Sequence, residues 1–207
     1  INKVWLSNRT NYIESTLLTT VSDESATKTL ELIVLEPEIK VKELDVTDYR
    51  KFPKPTGDGS YEHFKDLFEQ VANTTGISSE LLFRFASLES SFQSKASPGG
   101  ASTAKGLFQF TDDTWAETVA KFGSRYGIDE TTSVWDARAN TLMAAMRLRD
   151  AQKLLEKKFP EREITETDLY LTHFLGRTGA IRFLKAKPTE IAAKKMPAAA
   201  RRNKNIF

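Results

Sequence analysis

From Tyr61 onward the apolar residues return at helical spacing, and polar or glycine-bearing breaks cut that pattern into short helices. Tyr61 to Thr74 carries Phe64, Leu67, Phe68 and Val71, an i, i+3, i+4, i+7 stripe that Gly76 ends. Ser78 or Ser79 then caps a second helix, in which Leu81, Phe85, Leu88 and Phe92 form the apolar stripe. Residues 93–105 (QSKASPGGASTAK) are small and polar and read as a loop. Thr111 caps a short helix through Trp115, Val119 and Phe122. Asp136 caps a long one through Leu142, Met146 and Leu148 to about Leu155. Glu166 to Leu175 and Ala180 to Leu184 follow, with Gly176 and Gly179 between them. Pro188 should open a further helix and Pro197 should close it.

The start of the chain reads differently. Asn11 to Val21 is rich in Thr, Ile and Leu, Leu30 to Leu35 is a compact apolar run, and Ile39 to Leu44 alternates with period two. Asp23 to Ala26 and Glu36-Pro37-Glu38 look like turns between strands. Three such strands form a sheet of marginal stability by themselves, so residues 1–50 are expected to be a small β-rich segment that docks on something else. Lys51 to Ser60 (KFPKPTGDGS) has the composition of a linker, and 61–207 should be the helical domain. The first residue is Ile1 rather than Met, which suggests a processed chain or a piece of a longer one.

The chain of 207 residues has no cysteine and two histidines, His63 and His173. Disulfides, thiolate metal sites, a Cys nucleophile and a multi-histidine metal site are therefore excluded, and no cofactor is expected. No apolar run is long enough for a transmembrane helix, so no membrane insertion is expected. The net charge is only +2, but it is uneven. Positions 177, 182, 185, 187, 194, 195, 201, 202 and 204 are Lys or Arg, against Glu190 alone. That basic end suits a polyanion such as a bacterial wall, or else is a solvated helical face. No nucleic-acid recognition motif accompanies it, and a nucleic-acid partner is not expected.

The chemistry converges on Glu89. It lies at the edge of the buried face near the end of its helix, where a carboxyl loses water. Lost water favours the protonated form that a general acid must have. Two further features fall around it: Gly106-Leu107-Phe108-Gln109-Phe110, reached through the loop, and Tyr170-Leu171-Thr172-His173-Phe174-Leu175-Gly176. Tyr170 and His173 are three apart and share a helix face. His63, early on a scaffold helix, reads as a surface residue. Asp112 and Asp113 would be second carboxylates, but behind Thr111 they read as first-turn helix residues. No Ser/His/Asp arrangement surrounds Ser90.

In order and spacing these motifs resemble the soluble lytic transglycosylase family, which has a lysozyme-like fold. The family's Glu-Ser pair stands here as Glu89-Ser90. Its Gly-Leu-Met-Gln reads Gly106-Leu107-Phe108-Gln109. Its Ala-Tyr-Asn-x-Gly is altered, with His173 and Phe174 at the Tyr and Asn places and Gly176 retained. The resemblance runs from about Tyr61 to Met196, roughly two thirds of the chain. Thr167 to Phe174 and Arg182-Phe183-Leu184 look especially like the endolysins and tail lysins of giant bacteriophages. The implied fold class is mainly α, a lysozyme-like helical domain preceded by the small β-rich segment. The implied activity is cleavage of the MurNAc–GlcNAc β-1,4 bond of peptidoglycan to give 1,6-anhydroMurNAc ends. Glu89 would serve as both acid and base.

The resemblance also implies substrate contacts. Ser90 belongs to the matched pair, and Ser102 is the loop hydroxyl expected to touch sugar or orient Glu89. Gln109 would bond an acetamido group and Phe110 would face a sugar ring, with one of Phe108 and Phe110 packed in the core instead. Tyr170 and His173 would form the opposite wall. The alternatives are a hydrolytic muramidase or free endolysin of the same fold and, in another class, a non-catalytic structural or glycan-binding virion domain. The expected location is a phage virion, in tail or baseplate, acting on the bacterial periplasm and cell wall. Peptidoglycan strands are the expected partner, with other virion proteins reached through residues 1–50.

Overall fold

The computed structural model describes residues 47–100, 102–187 and 190–202. They belong to one compact unit, Val41–Phe207. The strands expected within residues 1–46 lie outside the described residues. Among the described residues the architecture is helical: α1 Lys65–Thr75, α2 Ser79–Ser90, α3 Asp112–Phe122, α4 Ala137–Lys158, α5 Glu166–Leu184, α6 Ala192–Lys195 and α7 Pro197–Arg202. Short 3-10 turns occupy Tyr49–Lys51, Tyr61–His63 and Gly123–Tyr126. Among the described residues the one β-like feature is an isolated antiparallel bridge between Lys105 and Phe110. No described helix is long and apolar enough to cross a membrane.

The boundaries follow local chemistry. Gly76 ends α1 in the left-handed conformation, with its N–H donating to the Ala72 carbonyl. The Ser78 hydroxyl accepts from Leu81 N and starts α2. Thr111 caps α3 by accepting from Thr114 N. Asp136 caps α4 by accepting from the N–H groups of Arg138 and Ala139. Thr165 and Asp168 exchange side-chain and backbone bonds as a capping box at the start of α5. The break expected at Gly176 is present as a kink within α5, with φ 70° and ψ 164° at that residue. Nothing lies within 4 Å of where its Cβ would be, so the backbone conformation and not space requires glycine.

Helix α4 is the centre of the unit. Ala139, Leu142, Met143, Ala144, Ala145, Met146 and Leu148 are all buried along it, and α1, α3 and α5 pack around it. A helix apolar on most sides must be enclosed, and its alanines let neighbouring backbones approach closely. Phe64, Phe68 and Val71 of the first helical stretch are fully buried in the same core. Each such side chain contributes about 1.5–3 kcal/mol by leaving water.

Two expectations about the helices need correction. Leu88 is 68% exposed, so it is not part of the α2 stripe. The buried set is Leu81, Leu82, Phe85 and Ala86. The helix stops at Ser90, and Ser91 and Phe92 both take left-handed φ values of 49° and 61°. That turn swings Phe92 back into the core beside Phe64 and Phe83 by a path other than helical spacing. Helix α6 ends at Lys195 with Met196 as its C-cap, just before Pro197, as expected, and Pro197 also opens α7, where its fixed φ and missing N–H suit a first helical position. Pro188 lies outside the described residues.

The stretch 51–60, expected as a linker, folds onto the helices. Phe52 is buried in the common core. Thr56 Oγ1 lies 2.8 Å from His63 Nδ1, so His63 is half-buried and pinned. Asp58 accepts from both the N–H and the hydroxyl of Ser94. Proline and glycine here shape turns that pack.

Candidate active site

Glu89 occupies the last turn of α2, and the paired left-handed residues after it fix where that turn ends. Its side chain is 19% exposed. Oε1 lies 3.1 Å from His173 Nε2, an ion-pair distance when the imidazole is protonated. A carboxylate at a helix C-terminus opposes the helix dipole, and a cation opposite compensates. His173 comes from the first half of α5. Ser78 and Arg84 of the α2 region hold the start of that helix through Glu166, at 3.2 and 3.4 Å.

Aromatic rings frame this pair. Phe85 meets Tyr170 and His173 edge-to-face, with centroids at 5.3 and 5.5 Å. Tyr170 also stacks on Phe174. Burial first, and then the Glu89 charge, push the Tyr170 phenol above its ordinary value. Tyr170 is therefore a neutral phenol near neutral pH, close enough to feel the Glu89 charge.

His173 faces a cleft of about 190 Å³. The turn 106–110 forms one wall of it, with Gln109 and Phe110 in the lining. The turn is shaped by its sequence. Gly106 has φ 79°, and a Cβ there would meet Asn140 Nδ2 at 2.6 Å and Val134 O at 2.9 Å. Asn140, fully buried on α4, accepts from Phe108 N at 2.9 Å and donates to Val134 O at 2.8 Å. One amide side chain thus pins the cleft wall to the central helix. Gln109 sits at φ 49°, a strained value for a non-glycine residue. Its amide donates to Ala96 O at 3.0 Å and Gly106 O at 2.8 Å. Those donors hold the loop to the turn and are not free for an acetamido group.

Gln109, Phe110 and His173 line the cleft, and Glu89 and Tyr170 adjoin it through His173 without lining it. Ser90 and Ser102 are not among the residues lining the cleft. The Ser90 hydroxyl is buried and donates to the Ala86 carbonyl one turn back. Ser102 is exposed and accepts from Ala104 N within its own loop. Phe108 and Phe110 are both buried, at 2% and 4%, where one had been expected to be free. Phe110 lines the cleft but packs edge-to-face on Trp115. Asp112 and Asp113 lie in the first turn of α3, with Asp112 paired to Lys105. Among the described residues, none that lines the cleft carries a carboxylate.

Three contributors were missed from sequence. Asn140 is hidden among alanines on α4, with no signal except a polar residue on a buried face. Arg147 and Arg177 both line the cleft. Arg147 reads from sequence as a helix-surface arginine, and Arg177 reads as the first residue of the basic end.

Residues 66–165 match the family model of the transglycosylase SLT domain. The match includes Glu89, the turn 106–110 and Asn140, and ends before Tyr170, His173 and Arg177. Residues 66–165 are thus a soluble lytic transglycosylase domain of lysozyme-like fold, the domain of enzymes that cleave glycosidic bonds of peptidoglycan by a lyase-type reaction.

Proposed function

We propose that Glu89 alone performs the proton chemistry on the MurNAc–GlcNAc β-1,4 bond. As a carboxylic acid it gives its proton to the glycosidic oxygen, and the C1–O bond breaks as positive charge develops on the MurNAc ring. As the resulting carboxylate it takes the proton from the 6-hydroxyl of the same sugar, whose oxygen closes on C1. The product is a 1,6-anhydroMurNAc end and a free GlcNAc 4-hydroxyl, with Glu89 reprotonated for the next cycle. The attack is intramolecular, so it carries a small entropic cost and uses no water. His173 holds the carboxylate between the two steps, and Tyr170 stands near it as a neutral phenol.

The observation that carries this reading is the Glu89 carboxylate in contact with His173 of the cleft wall, while the described lining offers no carboxylate of its own to partner it. A hydrolase of the usual kind needs a second carboxylate to activate water or to attack the sugar. Glu89→Gln is the direct test. The folded variant should lose wall lysis by a factor of about a thousand or more, and retained lysis would remove Glu89 from the mechanism.

The enzyme is further read as a virion-associated lysin that opens the host wall, joined to other virion proteins through residues 1–50. This rests on the likeness of 167–184 to phage tail lysins and on the different composition of the first fifty residues. Proteomics of purified virions should find the polypeptide in tail or baseplate fractions, and its absence there would leave a free endolysin.

A further inference from the structure

The cleft beside Glu89 carries positive charge that cutting a neutral sugar bond does not require. Two guanidiniums, Arg147 and Arg177, stand in its lining, and no carboxylate does among the described residues. Their side chains are 26% and 29% exposed. Holding two cations mostly out of water is costly unless an anion meets them.

The partners in place do not cancel this charge. Arg177 follows the Gly176 kink, and its Nη2 lies 2.5 Å from Asp150 Oδ2. Lys121 reaches the same oxygen at 2.6 Å from α3. Burial would raise the Asp150 carboxyl, but Lys121 and Arg177 hold it below its ordinary value, so it is ionised. Arg147 has its described partners, Glu117 Oε2 and Thr118 Oγ1, only at 3.5 Å. Glu117 is 67% exposed, so its charge is largely screened by solvent. Three cations (121, 147, 177) against two carboxylates (117, 150) leave one net positive charge, and Arg147 is its least occupied bearer.

The location is consistent. Ala144, Arg147, Leu148 and Ala151 follow each other at i, i+3, i+4 and i+7 and all line the cleft. That face of α4 places an arginine fork among apolar walls, in the cleft that His173 also lines. Such a fork matches a planar carboxylate in two parallel hydrogen bonds.

We propose that Arg147 and Arg177 form a subsite for a carboxylate borne on the lactyl arm of the muramyl residue. The inference rests on the peptidoglycan reading above and deepens it. In intact wall the arm's carboxylates belong to the stem peptide; in strands stripped of peptide the lactyl group is itself a carboxylate. Either would seat the muramyl ring against Glu89 and let the enzyme tell peptidoglycan from an uncharged glycan.

Calorimetric titration of the full chain decides it without relying on catalysis. The probes are the stem tripeptide L-alanyl-γ-D-glutamyl-L-lysine, N-acetylmuramic acid, and both again with carboxylates amidated. At least one acid form should bind, and its affinity should fall by about tenfold or more on amidation and in Arg147→Gln. Arg147→Lys, which keeps the charge but not the fork, should fall between. Binding of the tripeptide alone assigns the stem peptide, and binding of N-acetylmuramic acid alone assigns the lactyl carboxylate. Failure of both acids to bind, or binding indifferent to amidation or to Arg147→Gln, overturns the subsite. Turnover separates this from the Glu89 reading. Wild type should cleave native strands faster than carboxyl-amidated strands, and Arg147→Gln should bring that ratio toward one. If wild type cleaves neither substrate, the Glu89 mechanism fails while the titrations still decide the subsite.

Discussion

Replacing Asn140 by alanine should cost both stability and turnover, because one buried amide joins the cleft wall to the central helix. The side chain satisfies Phe108 N at 2.9 Å and Val134 O at 2.8 Å, and it is fully buried. Truncation orphans both backbone groups. Each buried group left without a partner costs about 1–3 kcal/mol, so a loss of about 3 kcal/mol is the central expectation. For a unit of this size that lowers Tm by roughly 6–12 °C. Stability in urea should fall with the slope unchanged. The turn 106–110 would then be held by fewer contacts, and displacing a wall by about an ångström can cost up to a hundredfold in kcat/KM. Circular dichroism with denaturant and a turbidity assay on purified wall measure the two effects. A stability loss below about 1 kcal/mol with unchanged lysis would show that water or a neighbour replaces the amide, and the pinning argument would be wrong.

Gly106→Ala should act through the same contact, since its Cβ would meet Asn140 Nδ2 and Val134 O while φ stays positive. A cost of about 2 kcal/mol or more in denaturant unfolding is expected, and it should be non-additive with Asn140→Ala. Leu88→Ser should leave stability within about 0.5 kcal/mol because the side chain is exposed; a larger loss in thermal unfolding would return Leu88 to the apolar stripe. Asp168 gives a pH test. Burial would raise its carboxyl, but Thr165 and Arg162 hold it below the ordinary value. A lowered carboxyl contributes stability that is present above its unfolded value of about 3.9 and lost as pH falls through its folded value. Asp168→Asn should therefore flatten the acid limb of the stability curve below about pH 4. An unchanged limb would show that Asp168 does not contribute there.

The outline of the site was legible because its parts are local. The caps Ser78, Thr111 and Asp136 announce helix starts by side-chain chemistry that needs no tertiary partner. The Glu89-Ser90 pair and the Gly106 turn carry short patterns. What stayed hidden depends on backbone turns and on long-range partners. Leu88 and Phe92 fit a helical stripe on paper, but two left-handed residues end α2 before the stripe is complete. Gln109 offers an amide to solvent in sequence, and in three dimensions it turns inward to Ala96 and Gly106. Asn140 serves residues 6 and 32 positions away, a relation that helical periodicity does not express. Arg147 and Arg177 become neighbours of one cleft only after α4 and α5 pack.

The most direct test of the account is mass spectrometry of the fragments released from purified peptidoglycan. Wild-type enzyme should release muropeptides whose muramyl ends are one water lighter than reducing ends, and Glu89→Gln should release none. Reducing ends from the wild-type enzyme would mean that water attacks, that a second base exists, and that Glu89 does not act alone.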